Sequence, residues 1–340
     1  MAGGESLAAH IDLVLGEVQP NFVSPLNELG HQFCGWDTLR YRDPQGWLQL
    51  RGEYGNWSLS HHGSRPSPSQ IAVTNGAKEA FWLACRLLVR PGDHVLLPKA
   101  HWPIAKCVLE LLPCHIDYYE NSAGNVSDLI EKLADEIRDV VILNSPGSPL
   151  GISLHHDLIV ELKDLARCGH IRVISDEVYG FTSDGSSSFS SLVVDGCTNV
   201  LCVDSVSKSC AAAGLRIGFL VGHEDLIRKA LSVKATLNSC ASGPSEIAAT
   251  YLLSAESVDY RQSVRKFCED RTKTLRALLL AAGHHIHSAG SIYVCVDVPE
   301  EAAYLTVGER RVRGAPGLAF GAPGILRLCA TVSDFERLCE

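Results

Sequence analysis

From residue 71 to residue 221, short apolar runs alternate with segments whose apolar residues recur at helical spacing. That alternation restricts the fold more than any other feature of the chain. Ile71–Thr74 reads as a strand, Asn75-Gly76 as a turn, and Ala77 to Val89 as a helix stopped by Arg90-Pro91-Gly92-Asp93. His94–Leu97, Val140–Leu143, Ile171–Ile174, Val200–Val203 and Ile217–Val221 read as further strands, with helices over Ser127–Arg138 and Asp157–Cys168. Helices that separate successive strands imply βαβ units, a mostly parallel sheet and helical cover on both faces. In such a sheet, ligands bind at loops leaving the carboxyl ends of the strands.

The flanks look different. Asp43-Pro44-Gln45-Gly46 is a turn signal, and Trp47–Trp57 reads as the amphipathic helix behind it. Beyond residue 222 come a helix over Glu224–Lys234, one long charged helix over Ser254–Ala282, and strands over Ser291–Val298 and Ile325–Cys329. A chain of 340 residues fits a large domain plus a smaller one. We place the large domain at 45–240 and a smaller α+β domain at 1–44 plus 241–340. The formal net charge of -9 argues against nucleic acid as a partner. No apolar stretch is long enough to span a bilayer, and the first twenty residues carry Glu5 and Asp12 where a signal peptide would be apolar. Thirteen scattered cysteines without a CxxC pair suit reduced thiols in a cytoplasmic setting and no metal site.

Four motifs follow strands. In LCVDSVSKSCAAAGLRIGF, Lys208 sits among hydroxyls and small residues, with Arg216 eight residues on. A partly buried lysine suits Schiff-base chemistry, and Ser205, Ser207 and Arg216 suit a phosphate dianion. Pyridoxal 5′-phosphate (PLP) needs both. In VTNGAKEA, the backbone at Gly76, Ala77 and Lys78 opens a helix and can receive phosphate. In NSPGSPLG, two prolines and two glycines fix a loop in which one Ser-Pro bond is expected to be cis. In ISDEVYG, Asp176 and Tyr179 stand three residues apart at the end of a buried strand, where a carboxylate can hold a pyridine nitrogen protonated.

As a set these motifs resemble the class I/II aminotransferases, the aspartate aminotransferase type of PLP enzyme with fold type I, over about residues 12–330. The resemblance implies a PLP-bearing large domain, a small domain drawn from both chain ends, and a homodimer with shared active sites. It implies that Lys208 forms the Schiff base and shuttles the proton. Asp176 pairs with the pyridine nitrogen, Tyr179 donates to the ring oxygen O3′, and Trp102 stacks on the ring. Gly76, Ala77, Lys78, Ser205, Ser207 and Arg216 hold the phosphate, and Tyr41 reaches the phosphate of the neighbouring subunit. Arg327 grips the α-carboxylate of an amino acid, and the segment with Gly16 and Glu17 lines the substrate entrance, where Glu17 can meet a basic side chain. The implied reaction moves an amino group between an L-amino acid and a 2-oxo acid.

Two departures keep a second outcome open. Ser148 stands where the family has an asparagine that also donates to O3′, and the chain is short between Pro299 and Leu318. Both favour a lyase, cyclase or oxidase acting at the β or γ carbon of an amino acid on the same cofactor. A binding protein with a degenerate site is a third reading, opposed by the presence of Lys208, Asp176, Tyr179 and Arg216 together.

Overall fold

A computed structural model describes residues 10–26, 39–121, 127–135, 139–183 and 188–339. At its centre is a seven-stranded sheet. Across the sheet lie Ile71–Thr74, Gly218–Gly222, Val200–Ser205, Arg172–Asp176, Val140–Asn144, His94–Pro98 and His115–Tyr119. Only Gly218–Gly222 runs against its neighbours; the other pairings are parallel. Ile71–Thr74, Val200–Ser205 and Gly218–Gly222 are buried at every position, as expected of strands covered on both faces.

The helix Ala77–Leu88 turns Ala80, Phe81, Leu83, Ala84, Cys85 and Leu88 inward. Burial of Phe81 alone contributes about 2–3 kcal/mol. The helix ends one residue earlier than its apolar spacing suggests, because Val89 is extended before Arg90-Pro91. Helices Leu48–His62, Ser127–Asp135, His156–Arg167, Glu224–Leu237 and Val258–Ala281 fall within a few residues of their expected bounds, except that the first runs on past Trp57 to His62. The expected end of one of them at Arg138 lies outside the described residues. The strand His115–Tyr119 is the edge of the sheet, and its exposed His115 and Tyr118 hide it from an apolar reading. Helices Pro103–Leu109 and Gly243–Leu253 likewise carry no clear period in the sequence.

Two smaller sheets complete the chain. One is antiparallel and runs Ala315–Pro316, Ile325–Cys329, Tyr293–Asp297, Ile286–Gly290. In the other, Ile11–Asp12 pairs in parallel with Arg310–Arg313, which pairs with Tyr304–Val307. The stretch that looked short in the sequence thus holds a hairpin, and the hairpin receives the N-terminal segment. That segment continues between the sheets: Cys329 N–H donates to the Leu13 carbonyl at 2.8 Å. The long helix Val258–Ala281 packs on Ile286–Gly290 and Tyr293–Asp297 and also touches the turn Val206–Ser209.

Because Ile71–Thr74, His94–Pro98, Val140–Asn144, Arg172–Asp176 and Val200–Ser205 all run the same way, their carboxyl ends share one edge of the sheet. The antiparallel Gly218–Gly222 brings Arg216, just before its amino end, to that edge as well. No helix among the described residues is long and apolar enough to cross a membrane.

Candidate active site

At this edge lies a cavity of about 460 Å³. Of the residues singled out in the sequence, Gly16, Ala77, Lys78, Trp102, Ser148, Asp176, Tyr179, Ser205, Ser207, Lys208, Arg216 and Arg327 line it. They come from chain positions more than 300 residues apart.

Its phosphate-like end is built from backbone. Gly76 caps the helix Ala77–Leu88 with φ +75, a conformation open to glycine, and no side chain caps the helix. The first amides of the helix are therefore free to meet an anion. A Cβ on Gly76 would come within 2.4 Å of Arg216 Nη2, so only a glycine lets the guanidinium lie against the turn. Arg216 is itself held in the left-handed region at φ 55. Its guanidinium donates to the carbonyls of Ala213 and Asn75, and among the described residues no carboxylate pairs with it. Ser205 ends its strand and Ser207 lies in the following turn, both on the same wall.

Lys208 also lines the cavity; it is half-buried and its Nζ donates to the Gly16 carbonyl. Asp176 is 6% exposed and accepts from Val178 N–H at 3.3 Å. Burial, with Asp204 and Glu177 nearby, pushes its carboxyl up to about 7 despite the Val178 bond and Lys208. Asn144 binds both sides of the site: its amide donates to the Asp176 carbonyl at 3.1 Å and its Oδ1 accepts from Ser148 N–H at 2.7 Å. Both Ser145-Pro146 and Ser148-Pro149 are cis, where one was expected. Trp102 stands at the start of helix Pro103–Leu109, edge-on to Phe81.

At the far end, Arg327 occupies the middle of a buried strand and is 7% exposed. Its guanidinium lies between two rings, 4.5 Å from Tyr293 and 4.4 Å from Phe320. It donates to Ser148 Oγ at 3.2 Å and to the Val14 carbonyl at 2.8 Å, and its Nε has no partner among the described residues. Burial of a cation without a carboxylate is costly unless a ligand supplies one. His101 N–H donates to the Phe320 carbonyl, tying the loop before Trp102 to this end.

Three selected residues stand apart. Gly76 shapes the wall through Arg216 without lining it. Tyr41 is 92% exposed, in a separate cleft with Leu39, Arg40 and Ala241–Pro244. Glu17 does not line the cavity, contrary to its placement at the substrate entrance. The chain turns there, Glu17 N–H donating to the Leu15 carbonyl, so that Gly16 faces the site while the Glu17 carboxylate accepts from the Gln19 amide at 2.8 Å. Sequence reasoning missed Tyr293 and Phe320, and it gave no separate role to Asn144. Only the last lay within a motif; the two rings reach the site through the smaller sheet and its following turn, which no local spacing announces.

The residues fit PLP. A helix start whose cradle a Cβ would fill, with an arginine beside it, suits the phosphate, and a buried carboxyl suits the pyridine nitrogen. A half-buried lysine, Lys208, lines the same cavity.

The family model "Aminotransferase class I and II" matches residues 35–340. An aspartate aminotransferase from Thermotoga maritima is 27% identical over 97% of this chain and 89% of that protein. A (5-formylfuran-3-yl)methyl phosphate transaminase from Methanocaldococcus jannaschii is 25% identical over 92% of this chain and 84% of its own. A crystal structure of an aspartate aminotransferase from Thermotoga maritima superimposes with a TM-score of 0.81 at 26% identity, covering 97% of this chain and 89% of that one. A match over most of the chain, on a fold that gathers the motif residues into one cavity, makes this protein a member of the class I and II aminotransferases.

Proposed function

We propose that this chain transfers an amino group between an L-amino acid and a 2-oxo acid, with Lys208 as the residue that binds PLP and moves the substrate proton. The family is PLP-dependent. When bound, PLP supplies an electron sink that makes the α-hydrogen of an amino acid acidic.

The chain's own residues do the rest. The amides at the start of Ala77–Leu88, Ser205, Ser207 and Arg216 hold the phosphate. Asp176, whose burial disfavours an isolated charge, pairs with a protonated pyridine nitrogen and strengthens the sink. Tyr179 donates to O3′, and Trp102 packs on the ring face. Arg327 grips the α-carboxylate; its orphaned Nε and its lack of a carboxylate partner among the described residues carry this assignment. With phosphate and carboxylate both held, Lys208, which lines the same cavity, would take the α-proton and give it back on the other side of the substrate nitrogen.

The same reading divides the chain into a large domain at 45–240 and a small one from 1–44 and 241–340, which the pairing of Ile11–Asp12 with Arg310–Arg313 supports. It makes the molecule a homodimer in which exposed Tyr41 serves the partner's site. It places the protein in the cytoplasm, in keeping with free thiols at every cysteine among the described residues.

The test is the absorbance of the PLP-loaded protein on addition of single L-amino acids without any oxo acid. Conversion of the visible band to that of pyridoxamine phosphate, absent in Lys208→Ala, establishes the half-reaction. Product formation with the band returning unchanged would replace it with lyase, cyclase or oxidase chemistry.

A further inference from the structure

Tyr293 opens the strand Tyr293–Asp297 and is 1% exposed. Its hydroxyl lies 2.7 Å from the Tyr179 hydroxyl, with the two rings at 71°. Its ring face supports the Arg327 guanidinium. Its hydroxyl also fills the space beside residue 16: a Cβ on Gly16 would come within 2.2 Å of it. The Gly16 carbonyl in turn accepts from Lys208 Nζ. One buried phenol therefore touches the residue assigned to O3′, the residue assigned to the carboxylate, and the segment that meets the lysine.

From these contacts we propose that Tyr293 is a positioning residue: its hydroxyl orients the Tyr179 hydroxyl toward the cofactor while its ring holds Arg327 in place. The proposal rests on the roles given above to Tyr179 and Arg327.

The chemistry follows from counting protons. Two phenols at this distance share one proton between them and have one left over. If Tyr293 donates to Tyr179, the Tyr179 proton is free to point at O3′. A hydroxyl that accepts one hydrogen bond becomes a stronger donor in the next. Burial, reinforced by Tyr293, pushes the Tyr179 phenol well above its ordinary range, so it keeps its proton to give. Ser148 adds weight to this pair. Its hydroxyl accepts from Arg327 Nη1 at the carboxylate end, and a serine is shorter than the asparagine that serves the family as a second O3′ donor. Tyr179 is then the main donor to O3′, and its orientation matters more. Gly16 is part of the device, because any side chain there would push the Tyr293 hydroxyl aside.

The experiment is a pH titration of the visible band of the PLP-loaded protein, together with amino-acid saturation. It compares wild type with Tyr179→Phe, Tyr293→Phe, the double variant and Tyr293→Leu. A hydrogen bond to O3′ favours its anion and lowers the titration midpoint, so weakening that bond raises it. Tyr293→Phe raises the midpoint by about half a pH unit. Tyr179→Phe raises it further, and the double variant adds nothing beyond Tyr179→Phe. Tyr293→Phe keeps the ring, so KM for the amino acid stays within about two-fold, whereas Tyr293→Leu raises KM by about five-fold or more. A midpoint that moves in Tyr179→Phe and not in Tyr293→Phe overturns the proposal and leaves the Tyr179 assignment standing. A double variant that sums the two single shifts also overturns it, because Tyr293 would then act without Tyr179. No shift in Tyr179→Phe overturns the Tyr179 assignment itself, and with it the proposal.

Discussion

Replacement of Asp176 by asparagine should make the cofactor-free protein more stable at pH 8, and less able to hold PLP. In an unfolded chain an aspartate titrates near 4. In the folded chain, burial among Asp204 and Glu177 pushes Asp176 up to about 7. Between those values the folded state keeps a proton that the unfolded state has lost. Folding stability therefore falls as pH rises through this window, and the loss is complete above it. About three pH units at about 1.4 kcal/mol each come to about 4 kcal/mol, charged against the fold by one carboxylate. Asparagine keeps an Oδ1 to accept from Val178 N–H but carries no charge. The two apo-proteins should melt within a degree or two of each other at pH 5. By pH 8 the variant should melt higher by on the order of 5 °C, given the unfolding entropy of a chain this long. Added PLP reverses the order, because a pyridinium offsets the buried charge in the wild type alone. The assay is thermal unfolding of both apo-proteins from pH 5 to 8, repeated with saturating PLP. A melting difference independent of pH, or one that PLP does not reverse, would refute the argument.

Two further outcomes follow from the ends of the cavity. Gly76→Ala puts a Cβ within 2.4 Å of Arg216 Nη2 and a side chain on a left-handed backbone, so PLP affinity measured by equilibrium titration should fall by about ten-fold or more; unchanged affinity would remove this turn from the phosphate site. Arg327→Ala should raise KM for the amino acid by two orders of magnitude or so, with kcat less affected and the visible band retained, since a buried charge-assisted pair is lost while the cofactor contacts remain; an unchanged KM removes Arg327 from the substrate site.

Much of this site can be read along the chain, because its cofactor end is local. Asp176 with Tyr179 and Ser205 with Lys208 each lie on one strand and the turn after it, and Gly76 with Lys78 lie at one helix start, so short spacings carry their geometry. Arg327 was legible for another reason: a lone charge in an apolar run asks for a partner. The misses were of two kinds. The strand His115–Tyr119 and the helix Gly243–Leu253 lack the alternation or the one-sided stripe that marks their class, since one is an exposed edge and the other is apolar over most of its surface. Tyr293 and Phe320 depend on contacts between segments far apart in the chain.

The order of apolar runs and turns, then, was enough to determine the parallel sheet, because a buried strand and an amphipathic helix each impose their own period on the residues that form them. It was enough to name the cofactor, because the chemistry of Lys208, Asp176 and Arg216 has few other uses in that arrangement. Only the tertiary structure decided what stands around Arg327, that Ser148 serves it, and that Tyr293 joins it to Tyr179. Those contacts depend on how three sheets and the N-terminal segment meet, and hydrophobic packing of that kind is set by shape and volume across the whole chain rather than by any stretch of it.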